Sequence, residues 1–154
     1  MDVHARAGLF WDSIAGRGPM PRAAATLGFE FVDADPDAGW IEVAFTATEA
    51  FTNPMGEVLG GFLAAMVYDT VGPALLATLA PNEFQETLEL KTTFLNPVHP
   101  GRLLGRGRVV QRGEHLAFLD ATLSDSSGLL VATGTATATV VQVREPRRTA
   151  DQRD

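Results

Sequence analysis

Polar and apolar residues alternate along most of this chain, and one stretch breaks the alternation. Between residues 60 and 80 the side chains are apolar in every direction around a helix, with Tyr68 and Asp69 as the ionisable exceptions. A helix that is hydrophobic on all sides is enclosed by protein or by lipid. The remaining segments mostly keep the period of two that marks half-buried strands. Residues 40–48 set Ile41, Val43, Phe45 and Ala47 against Glu42, Thr46 and Thr48, and a turn over residues 35–39 joins them to a first strand at residues 29–33. Residues 87–94 alternate Leu88, Leu90 and Phe94 with Glu89, Lys91 and Thr93, and Thr92 is a hydroxyl on the apolar side. Strands over residues 102–111, 117–123 and 129–143 follow, joined by short turns that make antiparallel hairpins. In the last of them Ala132, Gly134, Ala136 and Ala138 form a face of small residues, which predicts that another surface packs closely there.

Ahead of these, residues 4–15 predict a short helix, with Leu9, Phe10 and Ile14 at helical spacing and Trp11 on the flank; residues 16–21, rich in Gly and Pro, end it. The tail over residues 144–154 is polar throughout and expected to fray. The predicted order is two strands, a long buried helix and four strands: an α+β fold with the helix on one face of an antiparallel sheet. Residues 1–154 form one domain, of which 1–25 are the N-terminal helix and loop. One helix covers one face of a six-stranded sheet, so the other face and the edges predict oligomerisation.

Length and charge narrow the partners. A chain of 154 residues fits one domain with a sizeable core, and a net charge of -7 argues against nucleic acid, which needs a basic footprint. The absence of cysteine excludes disulfides, thiolate metal sites and a cysteine nucleophile. The first eight residues lack the apolar run of a signal peptide, which predicts a cytoplasmic protein. Residues 60–80 are nearly long enough to span a bilayer. Asp69, the Gly72-Pro73 pair and the lack of flanking Lys or Arg argue against a membrane partner. His4, His99 and His115 fit no metal-ligand spacing, and no cofactor is expected.

Asn53-x-x-Gly56-x-x-x-Gly60-Gly61, an apolar helix with an acid in its middle, then Phe94-Leu-Asn-Pro-Val98 and Gly101 resemble the hotdog-fold acyl-CoA thioesterases of the PaaI (phenylacetate-degradation) type. Val109-Val-Gln-Arg-Gly113 and Gly128-Leu-Leu-Val-Ala-Thr133 are similar to that family as well. The likeness spans residues 28 to 142. It implies a six-stranded antiparallel sheet wrapped around one central helix, in a homodimer or a tetramer built as a dimer of dimers. It also implies hydrolysis of aliphatic or aryl acyl-CoA thioesters without a metal. Two departures stand out. The family motif reads Asn-x-x-Gly-x-x-His-Gly-Gly, and Leu59 occupies the His position; the family acid lies seven residues after the second Gly, where this chain has Tyr68. The acid comes one residue later, at Asp69; relatives reading Asp-Asp-Thr-Met-Gly-Pro carry acids at both positions, and on that alignment Tyr68 replaces the usual acid and Asp69 is the survivor of the pair.

Thioester hydrolysis needs donors for an oxyanion and a base or nucleophile. The free N–H groups of Gly60 and Gly61 at a helix start suit the first role, although a plain tight turn uses the same residues. Asp69 suits the second, as general base or as nucleophile; an interface hydrogen bond would also hold it there. A carboxylate in apolar surroundings costs several kcal/mol unless it reaches a cavity, a partner or water. Pro73 removes the donor for the Asp69 carbonyl and should bend the helix there, re-aiming the acid. Gly60 and Asp69 lie nine residues apart, roughly 13 Å along a helix, so one carbonyl meets both only at a site shared by two subunits.

Asn53 suits positioning of water or the acyl group, or equally the start of a turn. Tyr68 suits a hydrogen bond to substrate, or a place in the core. Leu59, Met55, Phe62, Thr92 and Thr93 are candidates for contact with the substrate. Arg102, Arg106, Arg108 and Arg112 gather charge on one strand, where Arg112 would meet CoA phosphates, although a solvated face explains them more simply. The competing function is a hotdog protein that binds acyl-CoA or a fatty or aromatic ligand without hydrolysing it. A hotdog hydratase or dehydratase fits less well, because such chains carry a His–acid pair.

Overall fold

The continuous apolar stretch forms one helix, α3 (Gly60–Leu76), in the computed structural model, which describes residues 1–143. The helix ends four residues before the apolar run does. Thr78 and Leu79 turn their N–H groups onto the Leu75 and Leu76 carbonyls, at 2.9 and 3.2 Å, and the Thr78 hydroxyl also bonds Leu75 O. Trp11 Nε1 donates to the Ala77 carbonyl at 3.3 Å. The helix continues through Pro73, whose ring is buried. Among the described residues no helix is long and apolar enough to cross a membrane.

Around α3 lie six strands: β1 (Glu30–Asp35), β2 (Trp40–Ala47), β3 (Glu83–Phe94), β4 (Gly101–Arg112), β5 (Leu116–Asp125) and β6 (Leu130–Gln142). They form one antiparallel sheet in the order β1-β2-β4-β5-β6-β3. The helix is thus the crossover that carries the chain from β2 to the far edge of the sheet. This is the hotdog arrangement.

The alternation predicted for β2 and β6 holds. Ile41, Val43 and Phe45 are buried on the helix side, as are Ala132, Ala136 and Ala138. Gly134 explains why that face is small: a Cβ there would run into Val67 of α3. On β4 a Cβ at Gly107 would stand 2.7 Å from the Thr70 carbonyl and 3.0 Å from Ala74 Cβ. The helix therefore rests on strand backbone, which only glycine permits.

Three expectations need correcting. The N-terminal helix over 4–15 is divided into a 3-10 turn (Val3–Ala5) and α1 (Leu9–Ile14), because Gly8, at φ 114°, interrupts the spiral. Within α1 it is Trp11 that is buried, while Leu9 is 62% exposed. A further helix, α2 (Arg22–Thr26), follows Pro21 where the sequence suggested only a break. β3 starts at Glu83 rather than residue 87, and its pairing with β6 shifts between Thr87 and Glu89. That bulge turns Leu88 outward, 60% exposed, and leaves Gln85 on the buried side. The tail expected over 144–154 lies outside the described residues.

Candidate active site

Asp69 sits on the face of α3 that the N-terminal helices cover. Its Oδ2 is buried with no hydrogen-bond partner among the described residues. With no cation beside it among the described residues, burial alone pushes the carboxyl from its ordinary 3.8 up to about 6. The Asp69 side chain also lines an open cavity of about 280 Å³ between α3 and the segment holding α1 and α2, walled by Leu9, Phe10, Ile14, Met20, Phe29 and Phe84 among others. The expectation that this acid must reach a cavity, a partner or water is met by a cavity inside its own chain. Tyr68 turns away from it and is 47% exposed. Gly72, one helical turn beyond Tyr68, meets the Gln85 side chain of β3, with 3.2 Å left for a Cβ. The row of α3 that carries Tyr68 thus runs beside β3, at the edge of the sheet.

At the start of α3 the N-cap is Leu59, which offers no capping side chain. Its carbonyl takes the N–H groups of Phe62 and Leu63, at 2.9 and 3.2 Å. The N–H groups of Gly60 and Gly61 have no intrachain partner among the described residues. Gly61 has open space where a side chain would be, and Gly60 lies under the Phe94 ring, 3.2 Å from where a Cβ would stand. An open pocket of about 240 Å³ adjoins Gly60, with Val58, Leu63, Phe94, Leu95 and Asn96 around it. Unpaired donors at the positive end of a helix dipole suit a developing oxyanion.

Asn53 builds the loop in front of this helix. Its Oδ1 accepts the N–H groups of Met55 and Glu57, at 2.9 and 3.1 Å, and its own N–H donates to Glu57 O at 2.7 Å. The side-chain carbonyl is therefore committed to the turn. Met55 and Leu59 are exposed, at 78% and 48%, around the mouth of the loop. Phe62 stacks flat on Phe51, ring centres 4.1 Å apart, and belongs to the packing beneath the loop.

The two threonines part company. Thr92 points toward the helix, and its hydroxyl is buried without a partner. Thr93 lies on the opposite face, in a concavity of about 630 Å³ shared with Trp40, Lys91, Arg106 and Arg108, so the structure separates it from Gly60 and Asp69. Alternation along β3 makes that separation unavoidable. Arg112 is held by Glu83 at 3.2 Å, at the opposite end of β3 from the Phe94 that covers Gly60. Arg102, Arg106 and Arg108 are likewise paired, with Glu30, Glu42 and Asp120. All four arginines read as paired charge, Arg102, Arg106 and Arg108 on the outer face of the sheet, rather than as an open phosphate clamp. Among the described residues no three His, Asp or Glu side chains gather as metal ligands.

The sequence reading missed α1 and α2 as walls around Asp69. One signal was available: Pro21 followed by Arg-Ala-Ala-Ala-Thr26 has the proline start and the helix-forming run of a short helix. That this helix closes over α3 is a tertiary fact that no local pattern carries.

Comparison with known proteins agrees with this fold. The family model described as the acyl-CoA thioesterase N-terminal domain matches residues 48–148. A candidate esterase of Saccharolobus solfataricus is 30% identical over 109 residues, covering 68% of this chain and 76% of that protein. Among solved structures, a candidate thioesterase of Ralstonia eutropha, described as a phenylacetic acid degradation-related protein, is 40% identical. It superposes with a TM-score of 0.82 over 84% of this chain and 98% of that one. The PaaI protein of E. coli, from its phenylacetic acid degradation operon, shares the fold with a TM-score of 0.76 at 18% identity, over 87% and 94% of the two chains.

Proposed function

This chain belongs to the acyl-CoA thioesterase N-terminal domain family, and on that premise we propose that it hydrolyses acyl-CoA thioesters, aliphatic or aryl, at a site shared between two copies of itself. The observation that carries the proposal is Asp69: an acid on an apolar helix, with one carboxyl oxygen buried and unpartnered among the described residues and its side chain lining a cavity. The Gly60 and Gly61 N–H groups of one copy take the thioester oxygen, and Asp69 of the other faces the carbonyl carbon. Roughly 13 Å of helix separates the two within one chain, which is why two copies are needed. The free edge of β3, with Leu88 and Phe94 exposed along it and Tyr68 exposed on α3, is the surface a second copy would cover. A dimer of dimers in the cytoplasm, where CoA esters are found, completes the reading.

Asp69 in its ionised form accepts a proton from water as the water oxygen bonds to the carbonyl carbon. The electron pair of the C=O bond moves to oxygen and is held by the two amides. When it returns, the C–S bond breaks. The sulfur takes the proton from Asp69, giving a carboxylic acid and free CoA thiol.

Two inactive variants, Gly60→Val and Asp69→Asn, test the shared site when their subunits are exchanged. Random pairing gives one intact site in each mixed dimer and returns about a quarter of wild-type turnover. No recovery despite proven subunit exchange would refute the shared site. The exposed Leu59 and Tyr68, at positions where the family carries a His and an acid, favour a second reading: a protein that binds acyl-CoA without cleaving it. Measurable affinity for CoA esters with no turnover across acetyl, hexanoyl, phenylacetyl and palmitoyl esters would select that reading.

A further inference from the structure

The cavity beside Asp69 is built mainly by residues outside the matched family region, and this gives it a meaning of its own. Its cover is α1, α2 and the loop between them, all ahead of residue 48. The polar groups in that cover are already used. The Ser13 hydroxyl lies 3.1 Å from the Leu9 carbonyl and 3.0 Å from that of Pro19, and the Pro21 carbonyl accepts the Ala25 N–H at 2.9 Å. Asp69 is the one charged side chain among the described residues that line the cavity. A pocket with apolar walls and one such polar group takes a ligand that is itself apolar with one polar end.

Volume sets its size. A cavity of about 150 Å³ in another protein holds benzene, and this one is about 280 Å³. It therefore has room for one aromatic ring with a short linker, or for an unbranched acyl chain of similar bulk. A long fatty chain would extend beyond the cavity, and a second carboxylate would meet Asp69 and the apolar walls with no cation among the described lining residues to pair it.

We propose that the cavity under α1 and α2 is the acyl-group pocket of this protein, and that the N-terminal segment selects neutral, medium-sized or single-ring acyl groups. The assignment rests on the thioesterase reading for its substrate, because Asp69 would then stand between the pocket and the reacting carbonyl. Ile14 and Ala24 are the selectivity positions: both line the cavity, one from each N-terminal helix.

The test compares kcat/KM for acetyl-, hexanoyl-, phenylacetyl-, succinyl- and palmitoyl-CoA in wild type, Ala24→Leu and Ile14→Ala. Wild type should prefer the hexanoyl and phenylacetyl esters over the other three. Ala24→Leu, which fills the cavity, should lower the hexanoyl-to-acetyl ratio about tenfold, the size of effect that a methylene or two produces in an apolar pocket. Ile14→Ala, which enlarges it, should move the preference toward longer chains. Binding of phenylacetamide, followed by NMR at the Leu9, Ile14 and Ala24 methyls, supplies a readout that needs no turnover. Perturbation of those methyls, weakened at least tenfold by Ala24→Leu, supports the pocket even if no thioester is cleaved; in that event the hydrolase reading alone falls. Thioester cleavage with ratios untouched by either variant, or phenylacetamide binding that leaves those methyls unmoved, overturns the pocket and leaves the hydrolase reading standing.

Discussion

Tyr68 and Asp69 are adjacent on α3 and face different surroundings: the phenol is 47% exposed beside the sheet edge, while the acid's Oδ2 is sealed under the N-terminal helices. One residue along a helix is a turn of about 100°, and here that turn separates an outer surface from an inner cavity. The acid is displaced by one position from the family pattern, and the structure gives the displaced position a lining of its own.

The first prediction concerns rate and pH. Burial raises the Asp69 carboxyl to about 6, and the reaction uses its ionised form. Wild-type kcat/KM should therefore be level above about pH 7 and fall tenfold per unit below about pH 6. Asp69→Asn should be lower by about 10²- to 10⁴-fold, with that pH limb gone. Retention of the limb in Asp69→Asn would assign the titration to another group.

The second concerns stability, and its sign is opposite to that of a salt-bridged acid. The folded chain holds the Asp69 proton more tightly than the unfolded one, because its value is about 6 against 3.8. The resulting stability is whole below about pH 4 and is lost as pH rises through about 6, amounting to roughly 3 kcal/mol at most. Asp69→Asn should unfold in urea at a higher midpoint than wild type at pH 8, with the gap closing by about pH 4. Equal midpoints at pH 8 would show that the carboxylate is solvated in solution.

Packing supplies the third. A Cβ at Gly134 would collide with Val67 and stand 3.3 Å from the Lys91 carbonyl. Gly134→Ala should cost about 1–3 kcal/mol in chemical denaturation. Combined with Val67→Ala it should cost less than the two single changes added together, because the second change empties the space the first one needs.

The sheet edge supplies the fourth. Phe94 is 53% exposed and its ring covers Gly60. A charge there would lie in the proposed contact between copies, so Phe94→Glu should sediment as a monomer and lose most activity while keeping its circular dichroism. A monomer with full turnover would remove the second copy from the mechanism.

Much of this architecture is legible before any coordinates. The all-round apolar stretch at residues 60–80 identifies α3, and the Ala/Gly face of β6 identifies the surface that receives it. What escapes is set by long-range events. Leu88 alternates correctly on paper, but one bulge against β6 reverses it. Thr92 and Thr93 look equivalent until the sheet assigns them to opposite faces. Asn53 shows the composition of a functional amide and of a turn alike; only its bonds to Met55 and Glu57 tell which job its carbonyl does. The cover over Asp69 comes from residues some forty to sixty positions away, a separation no local periodicity reports.

The glycines under α3 have one more effect. Val67 and Thr70 sit in dents left by Gly134 and Gly107, so the helix is keyed to the strands and cannot roll about its axis. The bearing of every side chain on its outer half is thereby dictated by the backbone of β4 and β6. An acid grafted at position 68 would aim along the Tyr68 bearing, not into the Asp69 chamber, so moving the carboxylate by one place would give a differently facing group and not a restored one.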